Sequence, residues 1–279
     1  MTSRQVSLIV QTTAAFIITE VIVLTSSAFL HSHTSFGSLP FPTVTAREFL
    51  LTFLLATVVL LFLIKLIRSR AVFEGIFALS IFSGVWFISS LILPDFALPL
   101  AFLLTAVRYV APYILSQNIL LIIGIAGIAT AIGIGASWQT MALVLCVLAV
   151  YDVIAVYGTG HMVTMFKSMA QQGVIFALII PEEPRLLFRR LKEIPGQEGF
   201  FFLGTGDLAL PSLFIASAAL QGRALALGAA VGSLFGLIAT NIFFTRAQRR
   251  PMPALPPIAI GTLAGFFVAM LGMRLIGPL

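Results

Sequence analysis

The chain has 279 residues, 59% hydrophobic and only 9% charged, with a net charge of +6 and a mean hydropathy of +1.10. Soluble domains carry about 25% charged residues, so the composition excludes an ordinary soluble enzyme and points to a polytopic membrane protein. Its excess of basic residues forms no extended basic surface for nucleic acid. The single Cys146 excludes an internal disulfide, and three scattered histidines without a cysteine cluster make no zinc site.

Runs of about 20 apolar residues recur from end to end. They predict an all-α fold of nine transmembrane helices, at 6–30, 46–67, 72–93, 96–114, 118–135, 138–158, 200–221, 223–245 and 253–276. Residues 1–158 hold helices 1 to 6, residues 159–199 form a cytoplasmic loop, and residues 200–279 hold helices 7 to 9. The first run continues into further spans and reads as a membrane helix, not a cleaved signal. Its Glu20 lies mid-span, where it either lines a water path or meets a structural partner. Arg108 lies near the end of span 4 and reads as snorkelling to the interface. Cys146, inside span 6, reads as a small packing residue. In the long loop, His161 reads as a surface residue. Met162, Met165 and Met169 fall at helical spacing; with Phe166 they fit either a mobile gate or lipid packing. Residues 173–180, GVIFALII, are β-branched and apolar, a pattern for an extended edge that binds unwound peptide by strand addition.

Charge sets the expected orientation. With nine spans, twelve of the sixteen basic residues fall on the face shared by the amino terminus and the 159–199 loop. The positive-inside rule puts that face in the cytoplasm and the carboxyl terminus outside.

Two aspartates stand inside apolar runs, Asp152 in LAVYDVIAVYG and Asp207 in FFLGTGDLALPS. A carboxylate at membrane depth costs about 2.5 kcal/mol or more on insertion scales, so keeping two implies use. Span 6 runs toward the cytoplasm and span 7 away from it. At 1.5 Å per helical residue both aspartates lie roughly 10 Å deep. Two close carboxylates in a low-dielectric setting do not both ionise, so the pair holds one proton. The ionised member can act as general base on a water while the protonated member donates to a scissile carbonyl. Gly204 and Gly206 flank Thr205 just before Asp207, leaving room either for a substrate backbone or for a tightly packed helix. Pro253, Pro256 and Pro257 disfavour a regular helix start on the same face. Irregular backbone at that depth requires a protein or water-filled surround.

YD at 151–152, GTGD at 204–207 and PAL at 253–255, in that order, resemble the YD, GxGD and PAL motifs of the presenilin and signal peptide peptidase family of intramembrane aspartyl proteases. The resemblance covers the whole chain, most closely from 138 onward, and suggests a compact archaeal-type homologue. It implies that Asp152 and Asp207 are the catalytic pair. Tyr151, Gly204, Thr205, Gly206, Pro253, Ala254 and Leu255 would shape the active site and hold substrate. It implies transmembrane-helix substrates such as membrane proteins or signal peptide remnants, a lipid bilayer, a possible homo-oligomer, and no metal or organic cofactor. The expected orientation is similar to that of presenilin. LALPSLFIASA after Asp207 looks more like the signal peptide peptidase branch, and PALPP more like presenilin. Prepilin peptidases also carry GxGD, but there a lysine follows two residues after the aspartate, where this chain has Ala209. The rival class is a proton- or cation-conducting transporter using the same two carboxylates. The chain has no convincing internal repeat to support it.

Overall fold

The computed structural model describes residues 3–33, 45–66, 70–158, 175–194, 199–246 and 252–276. Among them are nine α-helices: α1 (Ser3–His33), α2 (Ala46–Leu66), α3 (Arg70–Ile92), α4 (Ala97–Val110), α5 (Ile114–Gly133), α6 (Trp138–Val153), α7 (Thr205–Ala219), α8 (Arg223–Arg246) and α9 (Leu255–Ile276). Six described segments are long and apolar enough to cross a membrane, within α1, α3, α5, α6 with the turn after it, α8 and α9. His161, Met162, Met165, Phe166 and Met169 lie outside the described residues.

Local signals start several helices. At α2, the Thr45 hydroxyl accepts from the Glu48 N–H at 3.3 Å, and the Glu48 carboxylate accepts from the Thr45 N–H at 2.9 Å. This reciprocal box satisfies donors that a helix start leaves open. At α6, the Ser137 side chain accepts from the Thr140 N–H at 3.2 Å. The far end of α6 passes into a π-helical turn at Ile154–Gly158, immediately after Asp152. Such widened turns are frequent at functional sites.

The chain departs from a purely helical reading in one place. Ala177–Pro181 is a strand, β1, paired antiparallel with β2 at Phe200–Gly204. Span 7, read as a helix from residue 200, therefore begins as a strand and turns helical only at Thr205. Three consecutive phenylalanines, Phe200 to Phe202, suit a strand as well as an apolar helix, and hydropathy does not separate the two. The 15 residues of α7 rise about 22 Å, too little for a hydrocarbon core of about 30 Å. The five strand residues add about 16 Å and supply the missing length.

The helices pack through glycine as well as through bulky side chains. On α8 and α9, Gly232 and Gly261 face each other so closely that a Cβ at Gly232 would lie 2.1 Å from the Gly261 carbonyl oxygen. A Cβ at Gly84 of α3 would lie 1.9 Å from the Gly124 carbonyl oxygen of α5. Small residues permit this backbone approach where lipid offers helices little hydrophobic drive to associate. Between α1 and α8, two polar clasps add specificity. Asn241 donates to the Thr12 hydroxyl at 2.9 Å, and Glu20 meets Ser233. Glu20 thus has a structural partner inside the bundle. Arg108 lies over the Phe77 ring at 5.7 Å.

Candidate active site

Asp152 occupies the last turn of α6 and is buried, 8% exposed. Its Oδ2 accepts a hydrogen bond at 3.2 Å from the backbone N–H of Leu255. Leu255 opens α9, directly after the extended residues Met252–Ala254. Pro253 keeps that approach non-helical by fixing its own φ and restricting the residue before it. The first N–H groups of a helix have no partner within it, and here one of them is turned onto Asp152. PAL thereby contributes backbone rather than a side-chain functional group.

Asp207 sits in the first turn of α7. It is half-buried, and the Gly204 N–H lies against its carboxylate. The Asp207 side chain lies at the start of α7, and Asp152 accepts from the start of α9, where helix dipoles favour negative charge. Helices α6 and α7, which carry the two aspartates, pack against each other. Pro211, inside α7, supplies no N–H to the Asp207 carbonyl four residues earlier.

The two motif glycines do different things. A Cβ at Gly204 would lie 2.9 Å from Asp207 Oδ2, so glycine there leaves room for the carboxylate itself. A Cβ at Gly206 would meet nothing within 4 Å, and Gly206 is exposed. Among the described residues none packs against this position, and an approaching backbone needs such open space beside Asp207. Thr205 is partly buried between them. Pro253 and Leu255 are buried and Ala254 is partly so. Tyr151 is 46% exposed, turned about 100° from Asp152 around the α6 axis.

The reading of 173–180 needs correction in one respect. The segment is extended from Ala177, but β1 offers no edge at Ile175, Ile179 and Pro181. The Asn118 amide donates to the Ile179 carbonyl at 2.7 Å and accepts from the Ile179 N–H at 3.0 Å. Gln11 donates to the Pro181 carbonyl at 2.8 Å, and Gln117 to the Ile175 carbonyl at 3.3 Å. With β2 on one side and these amides on the other, the backbone groups of Ile179 and the Pro181 carbonyl are taken. The second strand of the sheet, β2, leads into Asp207. Sequence reasoning passed over Gln11, Gln117 and Asn118. Three amides in apolar helices were the available signal, since polar groups at membrane depth require partners.

The fold and site define a polytopic helical membrane protein with a buried carboxylate pair. The family model for signal-peptide peptidase and presenilin aspartyl proteases matches residues 14–275, and the chain belongs to that family. It is an intramembrane aspartic endopeptidase by that membership. Two solved structures of a presenilin family intramembrane aspartate protease, in C222 and P2 space groups, are similar to it. The first superposes with a TM-score of 0.66 at 24% identity, covering 94% of this chain and 98% of the other. The second gives 0.64 at 26% identity, covering 93% and 96%. No curated protein matches the chain. The transporter reading finds no support in these likenesses.

Proposed function

We propose that Asp152 and Asp207 are the catalytic dyad and cleave a peptide bond in a membrane-spanning substrate helix. The pair holds one proton. The ionised carboxylate removes a proton from a water, whose oxygen adds to the scissile carbonyl carbon. The other carboxylic acid donates its proton to the carbonyl oxygen. Collapse of the tetrahedral intermediate breaks the C–N bond, and the leaving nitrogen takes up a proton from the pair. The observation that carries this reading is the Leu255 N–H bonded to Asp152, which ties the YD and PAL motifs to one point. A backbone donor there holds the Asp152 carboxylate in place.

The substrate helix must unwind first, because its carbonyls are otherwise bonded within the helix. An unwound segment can recover backbone bonds by lying along the outer edge of β2, which delivers it to Gly204 and Asp207. The open space over Gly206 suits the passing backbone. Tyr151, Thr205, Pro253 and Ala254 belong to the frame of the site. The amino terminus and the 159–199 loop face the cytoplasm, by the charge bias, and the substrates are single-span membrane proteins or signal peptide remnants. Asp152→Asn and Asp207→Asn test the reading. Each is expected to abolish cleavage of a reporter membrane peptide while the protein stays folded, and retained cleavage in either would overturn it.

A further inference from the structure

The Asn118 contact is built like a strand pairing. In an antiparallel ladder, a residue gives its N–H and its C=O to one neighbour on one side. Ile179 gives both to the Asn118 side chain, at 3.0 and 2.7 Å. Asn118 is 6% exposed and Ile179 is fully buried, so neither bond is exchanged freely with water. At membrane depth each backbone N–H or C=O left without a partner is costly. A side-chain amide supplies the donor and the acceptor together.

The contact also ties the sheet to a fixed reference. Helix α5 is locked to α3 through Gly84, Gly124 and Gly127, where an added Cβ on either outer glycine would fall about 2 Å from the facing carbonyl oxygen. From α5 the chain of contacts runs through Asn118 to Ile179, across the ladder to Phe202, and two residues on to Gly204. Gly204 opens α7 and its N–H faces the Asp207 carboxylate. Every residue of β1 is buried, and Leu203 is buried opposite Leu178.

We propose that Asn118 is a positioning residue for proteolysis. It sets the register of the two-stranded sheet against α5, and thereby determines which peptide bond of a substrate segment lies at Asp152 and Asp207. The proposal rests on the protease reading and on substrate alignment along β2. It acts through Ile179 and touches no reacting atom.

The test uses the full-length protein in liposomes with a reporter membrane peptide. Mass spectrometry maps the cleaved bonds, and kcat and KM are measured alongside. Asn118→Leu keeps the size and removes both bonds; Asn118→Gln keeps the amide but displaces it by one methylene. Thr130→Val, a buried substitution elsewhere on α5, is the control and should leave the cleaved bonds unchanged. In Asn118→Leu, cleavage should spread to bonds one or two residues away, and kcat should fall about tenfold, with KM changed less than about threefold. Asn118→Gln should lie between wild type and Asn118→Leu. Complete loss of cleavage in a folded Asn118→Leu protein, with shifted bonds in Asn118→Gln, supports the proposal equally. Wild-type cleavage bonds and kcat in folded Asn118→Leu would overturn it. If that variant does not fold, wild-type bonds in Asn118→Gln would overturn it. Failure of the wild-type protein to cleave, or cleavage that survives Asp152→Asn, would count against the protease reading instead.

Discussion

At the residue scale, the site is economical in side chains. Among the described residues Asp152 and Asp207 bring the acidic groups, and the backbone adds the N–H groups of Leu255 and Gly204. The role of Leu255 can therefore be separated from its side chain. Proline is tolerated at the first position of a helix, where its missing N–H is not needed for the helix itself. Leu255→Pro should leave helix content unchanged by circular dichroism but remove the donor to Asp152. Hydrogen bonds to charged groups are worth about 1.5–3 kcal/mol, so kcat should fall about 10- to 100-fold. Leu255→Met, which retains the N–H, should stay within a few-fold of wild type. Equal loss in both would place the importance of this position in its side chain.

At the element scale, α8 and α9 form the platform that aims PAL at Asp152. Gly236 lies against Pro257 and Ile258, where a Cβ would come within 2.4 Å of the Pro257 carbonyl oxygen. Gly232 and Gly261 carry the close approach one turn further. Gly232→Val should overpack this seam. Overpacking costs about 1–3 kcal/mol or more, visible as a lower melting temperature, and activity should fall with it as α9 is pushed away from α6. The elements were unevenly legible in the sequence. Hydropathy located the helices to within a few residues, because a run of apolar side chains is what a bilayer requires. It did not separate β2 from α7, because Phe200–Leu203 is apolar in either conformation and the change comes at a glycine. The position of Asp207 follows from that: it lies in the first turn of a helix, not seven residues inside one. The motif residues were legible as anomalies in an apolar chain, whereas Asn118 and Gln11 looked like isolated polar residues until the strand they serve was in place.

At the scale of the whole molecule, two apolar cores share the work. One centres on Phe214 and Phe266 and draws residues from α1 and from α5 to α9. The other centres on Phe16, Phe73 and Leu178 and joins the sheet to α1, α3, α4 and α5, with Leu208, Leu237 and Ile258 from α7, α8 and α9. Helices α1, α5, α7, α8 and α9 thus contribute to both cores. The charge bias makes a separate prediction about the molecule as a whole. Reporter fusions at the amino terminus and within 159–199 should report cytoplasm, and a fusion at the carboxyl terminus should report the opposite side. An amino and a carboxyl terminus on the same side would require an even number of spans and contradict the topology proposed here.

The central claim is that Asp152 and Asp207 act together on a peptide bond. The most direct measurement is cleavage of a membrane-spanning reporter peptide by purified wild-type, Asp152→Asn and Asp207→Asn proteins in liposomes, with products identified by mass and folding checked by circular dichroism. Cleavage by the wild type, with no product from either folded single variant, is the expected result. Product from either variant at more than about a thousandth of the wild-type rate, a barrier difference of about 4 kcal/mol, would contradict the dyad.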